Sequence, residues 1–215
     1  KAIQEMGYES PMPVQEEVIP FLLGDDNDVI ALAQTGTGKT AAFGLPILQK
    51  IDVTTYHPQA LVLCPTRELC LQIADDLNDY SKYIDNLKVL PVYGGSSIES
   101  QIKTLKRGVH VVVATPGRLL DLMNRKTVDL SLVKNVIMDE ADEMLNMGFT
   151  DSINAILAEV PENRNMLLFS ATMPKEIANI TKKYMKNPKE IVIGNKNEGN
   201  KNIRDIYYMV QARDK

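Results

Sequence analysis

Ala33-Gln34-Thr35-Gly36-Thr37-Gly38-Lys39-Thr40 is the stretch on which the reading of this chain turns. It follows the apolar run Val29-Ile30-Ala31-Leu32 and precedes a helix-like segment from Ala41 to Lys50. A glycine-rich turn between a strand and a helix points several backbone N–H groups into one hollow, at the positive end of the helix dipole. A chain of phosphates fits such a hollow. Lys39 adds a point charge for the outer phosphates, and the Thr40 hydroxyl is suited to ligate Mg²⁺. Ala33 stands where the eight-residue phosphate-loop pattern has its first glycine, while Gly36, Gly38, Lys39 and Thr40 are all in place. The stretch predicts that the chain binds a nucleoside triphosphate.

A partner carboxylate is expected at the end of another buried strand. Val136-Ile137-Met138 is a short apolar run ending in Asp139-Glu140-Ala141-Asp142. In phosphate-loop enzymes an aspartate here holds Mg²⁺, and an adjacent glutamate can orient or activate the attacking water. An acidic helix N-terminus is the competing reading, since acids favour that end of the dipole.

Further apolar runs recur along the chain, at Ala60–Leu63, Val89–Val92, Val109–Val113, Met166–Phe169 and Ile191–Ile193, each followed by turn or helix residues. The best amphipathic helix is expected from about Arg67 to Tyr83, with Leu69, Ile73, Leu77 and Tyr80 on one face. Another begins at Pro174, with Ile177, Ile180 and Tyr184 aligned. Strands that are continuously apolar and alternate with helices predict an α/β fold, a parallel sheet covered on both faces. Gly194 to Asn202, rich in Asn, Lys and Gly, reads as a linker, and Ile203 to Val210 as a strand beyond it.

Composition agrees with one large domain. The 215 residues are 44% hydrophobic and 24% charged, with 24 basic and 28 acidic side chains and a net charge of −4. That balance argues against a strongly basic nucleic-acid binder, and any contact to a nucleic-acid backbone should be modest and salt-sensitive. No apolar stretch approaches the roughly 18 residues of a membrane span, so no membrane partner is expected. Cys64 and Cys70 fit no zinc spacing and read as buried free thiols of a reducing, cytoplasmic compartment. His57 and His110 lie far apart and suggest neither catalysis nor metal binding. Asp25-Asp26-Asn27-Asp28 lacks the later glycine and glutamate of a calcium loop and reads as a solvated turn.

The residues Asp139 to Asp142 spell DEAD, and the chain resembles the DEAD-box ATP-dependent RNA helicases over essentially its whole length. Gly7-Tyr8-Glu9-Ser10-Pro11-Met12-Pro13-Val14-Gln15 resembles that family's Q motif, with Met12 at a position where threonine is common. Pro65-Thr66-Arg67-Glu68-Leu69 resembles motif Ia, Gly94-Gly95 the GG element, Thr115-Pro116-Gly117-Arg118 motif Ib, and Ser170-Ala171-Thr172 motif III. The resemblance implies a RecA-like domain over residues 1–193 that binds ATP and Mg²⁺, with residues 194–215 leading into a second RecA-like domain. It implies that Gln15 reads adenine, which suits an amide's paired donor and acceptor. Tyr8 could pack nearby, a core aromatic being the competing role, and an aromatic that stacks on adenine would precede Lys1. Ala33 to Thr40 would cradle the phosphates, Thr40 and Asp139 would hold the metal, and Lys39, Asp139, Glu140, Ser170 and Thr172 would carry ATP hydrolysis.

In the same family the residues Pro65, Thr66, Arg67, Gly94, Gly95, Thr115, Pro116, Gly117 and Arg118 imply a grip on single-stranded or duplex RNA through its backbone, which carries no base information. Surface ion pairing is the alternative for Arg67 and Arg118. Ser170 and Thr172 would hydrogen-bond Asp142 and couple hydrolysis to unwinding, or else cap the helix after Pro174. The second domain, acting in cis, would supply arginine fingers worth about 10³–10⁵ in rate. The chain alone is therefore expected to be a monomer with weak hydrolysis. Two other classes stay open: a phosphate-loop ATPase that remodels protein or DNA, and a non-catalytic docking module.

Overall fold

In the computed structural model, which describes residues 1–24 and 28–193, each expected apolar run forms a strand. The strands are β1 Val29–Leu32, β2 Ala60–Leu63, β3 Val89–Val92, β4 Val111–Ala114, β5 Asn135–Met138, β6 Asn165–Ser170 and β7 Lys189–Val192. All are paired in parallel, in the order β3-β4-β2-β5-β6-β1-β7. The residues 25–27 of the acidic turn, the linker read over 194–202 and the strand read over 203–210 lie outside the described residues.

Burial follows position in the sheet. Every residue of β1, β2, β4 and β5 is buried, because helices cover both faces and each side chain meets one. The two edges differ. β3 alternates and carries Pro91, whose missing N–H is tolerable on a strand with a single neighbour. β7 exposes Lys189 and Glu190, charges that discourage pairing with another chain.

Nine helices precede, connect and follow these strands among the described residues: α1 Ala2–Glu5, α2 Pro13–Gly24, α3 Lys39–Lys50, α4 Arg67–Tyr80, α5 Ile98–Lys106, α6 Pro116–Asn124, α7 Ala141–Asn146, α8 Thr150–Glu159 and α9 Lys175–Tyr184. Alternate strand residues divide the core in two. Val29, Ala31, Val62, Val113 and Phe169 face one layer, with Val18 of α2, Phe43 of α3 and Ile73 of α4. Ile30, Leu32, Leu63, Val136 and Leu168 face the other, with Leu119 of α6, Met144 of α7, Ile153 of α8 and Ile177 of α9. The loops leaving β1 and β2 thus turn to one face and those leaving β4, β5 and β6 to the other.

Three boundaries shift from expectation. Helix α4 stops at Tyr80 rather than Tyr83, because Ser81 leaves helical geometry and its N–H closes the last turn on Leu77. Helix α9 starts at Lys175 with Pro174 as its N-cap and no side-chain cap, so neither Ser170 nor Thr172 caps it. Strand β4 begins at Val111 rather than Val109. The His110 backbone before it still bonds the flanking segments, its N–H donating to the Lys88 carbonyl at 2.9 Å and its carbonyl accepting from the Gln59 N–H at 2.8 Å. The His110 ring is held as well. Its Nδ1 accepts from the Lys88 N–H at 3.0 Å and its Nε2 faces the Val53 carbonyl at 3.1 Å. These partners select the neutral tautomer with the proton on Nε2. Both cysteines are free and buried, the Cys70 thiol donating to the Val113 carbonyl at 3.1 Å.

His110 makes a testable case. Burial holds its pKa below the ordinary 6.5, the hydrogen bond to the Val53 carbonyl opposing and the Lys88 charge adding to the fall. The unfolded chain therefore binds the proton first, and stability contributed by neutral His110 is lost as pH falls below about 6.5. Thermal denaturation should show a melting temperature that declines from pH 7 towards pH 5, with a shallower decline in His110→Gln. An equal pH slope in both proteins would contradict this role.

Candidate functional site

The phosphate loop leaves β1 at the sheet's carboxyl rim. Ala33 prolongs the ladder by one bond, its N–H donating to the Ser170 carbonyl at 3.0 Å, and its methyl packs into the α2–α3–α4 core. Alanine in place of glycine is thus a core residue at the loop's entry. Thr37 donates its hydroxyl to the Gln34 carbonyl at 2.8 Å and closes the turn, while Thr35 and Gly36 are exposed. Gly36 and Gly38 have φ of 74° and 81°, the left-handed conformation that favours glycine. Gly38 is the N-cap of α3 and offers no side-chain cap, so the helix's first N–H groups remain for an anion.

Gln15 ties the start of α2 to this loop. Its Oε1 accepts from the Met12 N–H at 3.0 Å and its Nε2 donates to the Gly38 carbonyl at 3.1 Å. The amide is buried, and one further donor and one acceptor direction remain to it. Tyr8 sits elsewhere. Its hydroxyl lies 3.0 Å from that of Tyr80 and its ring meets Tyr80 edge-on, so it packs the leading segment against α4.

The carboxylate segment emerges from β5, whose ladder Asp139 extends by donating its N–H to the Leu63 carbonyl at 2.9 Å. One oxygen of Asp139 takes both the Lys39 ammonium, at 3.2 Å, and the Glu140 N–H, at 3.0 Å. The two charged side chains are only 7% and 4% exposed. Glu140 has φ 51° and ψ 50°, a left-handed backbone that for a non-glycine residue costs about 1–2 kcal/mol. Burial, then the neighbouring Asp139 charge, pushes its carboxyl above the ordinary 4.5, with Lys39 opposing. Asp142 Oδ2 accepts both the N–H of Thr172, at 3.0 Å, and its hydroxyl, at 2.8 Å.

Ser170 does not join that contact. It still belongs to β6, in register with Leu32, and its buried hydroxyl has no hydrogen-bond partner. Thr40, read from the sequence as a metal ligand, has its side chain beside the carboxylate of Asp76 in α4. Burial raises the pKa of Asp76 and the nearby Thr40 hydroxyl opposes the rise.

Farther along the same rim, the ends of β2, β4 and β3 bring the remaining motifs together. Pro65 is buried, and Thr66 caps α4 by accepting from the Leu69 N–H at 3.2 Å. Arg67 lies over the Tyr93 ring at 4.9 Å. Gly94 and Gly95 are exposed beside it, Gly95 with φ 81°. Thr115 precedes α6 as its N-cap, buried Pro116 is the first helical residue, and Gly117 is exposed. Arg118 donates from Nη1 to the Ser96 carbonyl and to Gln101 Oε1, both at 3.1 Å. Among the described residues neither arginine makes an ion pair. Sequence reading missed Asp76, Tyr93, Ser96 and Gln101. Gln101 left a trace, a polar side chain on the buried face of an amphipathic helix.

Alanine at the two loop glycines separates strain from crowding. A Cβ at Gly36 would meet nothing within 4 Å, so Gly36→Ala should cost about 1–2 kcal/mol from backbone strain alone. A Cβ at Gly38 would lie 2.5 Å from Gln15 Nε2 and 2.7 Å from Met12 Sδ, so Gly38→Ala should cost more and release the Gln15 amide. Chemical denaturation of the two variants reads the difference; equal losses would show that Gln15 is not held against the loop.

Comparisons with known proteins bear on this geometry. The family model described as DEAD/DEAH box helicase matches residues 12–180. An ATP-dependent RNA helicase DeaD of Mycobacterium tuberculosis is 51% identical over 213 residues, covering 99% of this chain and 38% of that protein. The protein of the same name from Escherichia coli K12 is 46% identical over 210 residues, 98% of this chain and 33% of its own length. A crystal structure of a DEAD box protein from Methanococcus jannaschii superposes with a TM-score of 0.85 at 46% identity, covering 89% of this chain and 52% of the other. The chain therefore spans little more than a third of the curated relatives it matches. It belongs to the DEAD/DEAH box helicase family.

Proposed function

We propose that residues 1–193 form the ATP-binding domain of an ATP-dependent RNA helicase, which hydrolyses ATP while holding single-stranded or duplex RNA by its backbone. The observation that carries this reading is the Lys39–Asp139 pair at 3.2 Å, with Glu140 beside it and free helix N–H groups next to it. A cation and two carboxylates converge on one phosphate-binding hollow.

The residues present fit Mg²⁺ and ATP. Mg²⁺ is usually held by one or two protein oxygens and completed by phosphates and water. When bound, the ion neutralises charge on the β- and γ-phosphate oxygens. Thr40 and Asp139 would hold it, Thr40 turning from Asp76. Lys39 would exchange Asp139 for a phosphate. Gln15 would present its remaining amide directions to adenine. Glu140, with its raised pKa, would take the proton of the attacking water.

The Asp142–Thr172 contact would pass the state of this site to β6, and Arg67, Arg118 and the Gly94–Gly95 loop would hold phosphates of RNA. A second RecA-like domain in cis would complete both sites, and its closure would locally separate a duplex. Residues 194–215 would lead into it. The free buried thiols suit the reducing cytoplasm. Among the described residues no helix is long and apolar enough to cross a membrane.

Glu140→Gln tests the assignment by two readouts. Turnover should fall by about 10²–10⁴ while ATP affinity is retained. Because the folded-state pKa of Glu140 lies above 4.5, its ionisation disfavours the fold at neutral pH. The variant should therefore melt higher than wild type at pH 7, with the gain shrinking as pH falls towards 4.5. Unchanged turnover would move the function to another phosphate-loop remodeller or to a docking module.

A further inference from the structure

We infer that Gln101 is a positioning residue for RNA, one that aims both rim arginines with neutral partners and so leaves their charge for phosphate. The inference rests on the RNA-backbone reading above and adds a residue to it. Helix α5 has apolar side chains at Ile98, Ile102 and Leu105, yet all three are only partly buried. The one buried residue of this helix is Gln101, 6% exposed. A buried amide is costly unless its hydrogen bonds are made. Here Nε2 donates to the Tyr93 carbonyl at 3.1 Å and to Ser96 Oγ at 2.8 Å, while Oε1 accepts from Arg118 at 3.1 Å.

These three bonds span the GG loop. Tyr93 and Ser96 bracket Gly94 and Gly95, so one side chain fixes both ends of a segment whose glycines are otherwise free to move. The Tyr93 ring in turn lies under Arg67, and Gly95 borders the Arg67 guanidinium, 3.8 Å from where its Cβ would be. Arg118 is held by Gln101 and by the Ser96 carbonyl. Both arginines are thus oriented through Gln101 by a ring, an amide oxygen and a carbonyl, none of them charged. Glu99, on the same helix, accepts from the Ser97 hydroxyl at 2.9 Å and makes no ion pair with Arg118. A carboxylate at position 101 would still accept from Arg118 but would cancel its charge and, having no N–H, would lose the bond to the Tyr93 carbonyl. A guanidinium already paired is a poor phosphate ligand.

The test measures binding of a fluorescently labelled oligouridylate by this chain at low salt, beside its melting temperature and ATP affinity. Gln101→Met should weaken RNA binding about tenfold, the order of one charge-assisted contact, and leave ATP affinity at the wild-type value. In an Arg118→Ala background the same change should weaken binding by clearly less than tenfold, the remainder being the share carried through Arg67. Gln101→Glu should weaken RNA binding more than Gln101→Met does for the same fall in melting temperature, because it also pairs the Arg118 charge, an order that a merely structural role does not give. Wild-type affinity in Gln101→Glu, or a full tenfold loss added on top of Arg118→Ala, would overturn the inference alone. Absence of RNA binding by the wild-type chain would overturn the RNA-backbone reading beneath it.

Discussion

The Lys39–Asp139 pair is the constraint on which the rest of the site depends. Two opposite charges are withdrawn from water at the point where the phosphate loop and the carboxylate segment meet. Desolvating both is expensive, and removing one partner from such a pair typically costs about 3–5 kcal/mol. The pair therefore opens readily only where a charged ligand can take over each half. A nucleotide phosphate for Lys39 and a metal for Asp139 would do so without leaving either charge uncompensated.

Topology creates the space for that exchange. β1 and β5 are not neighbours; β6 runs between them. The loop after β1 turns to the α2–α3–α4 face, where Phe43 packs, whereas the loop after β5 turns to the opposite face with Met144. Segments that diverge from the carboxyl rim leave a crevice between them, the usual ligand position in an open parallel sheet. The Asp142–Thr172 bond joins the segments after β5 and β6, and the N–H of Asp139 on the Leu63 carbonyl links the first of them to β2. From β2 the chain runs directly into Thr66 and Arg67. The nucleotide end and the arginine end of the rim are therefore joined along one hydrogen-bonded edge.

Much of this was legible in the residues themselves. Continuous apolar runs such as Ala60–Leu63 need cover on both faces, which gives a parallel sheet, and glycine with lysine and threonine after such a run gives the phosphate loop. Adjacency on the rim was legible only through the family resemblance. What could not be read was tertiary choice among equal local options. Thr40 lies beside Asp76, a residue 36 positions away on another helix, because the faces of α3 and α4 meet. Tyr8 turns to Tyr80 rather than to the loop. Ser170 and Thr172 look equivalent in sequence, yet one lies inside a strand with its side chain confined to the core and the other lies beyond the strand's end, free to reach Asp142. Gln101 left a pattern, but its three partners come from two separate segments that no spacing rule connects.

The central claim is that this domain couples an ATP site to an RNA-backbone grip and needs a second domain to turn over fully. Steady-state ATP hydrolysis tests it most directly, with single-stranded RNA, single-stranded DNA or neither, on this chain and on a longer version carrying a downstream domain. The account predicts slow turnover by the chain alone and strong stimulation by RNA, not DNA, in the longer protein. Equal stimulation by DNA, or none by either nucleic acid, would contradict it.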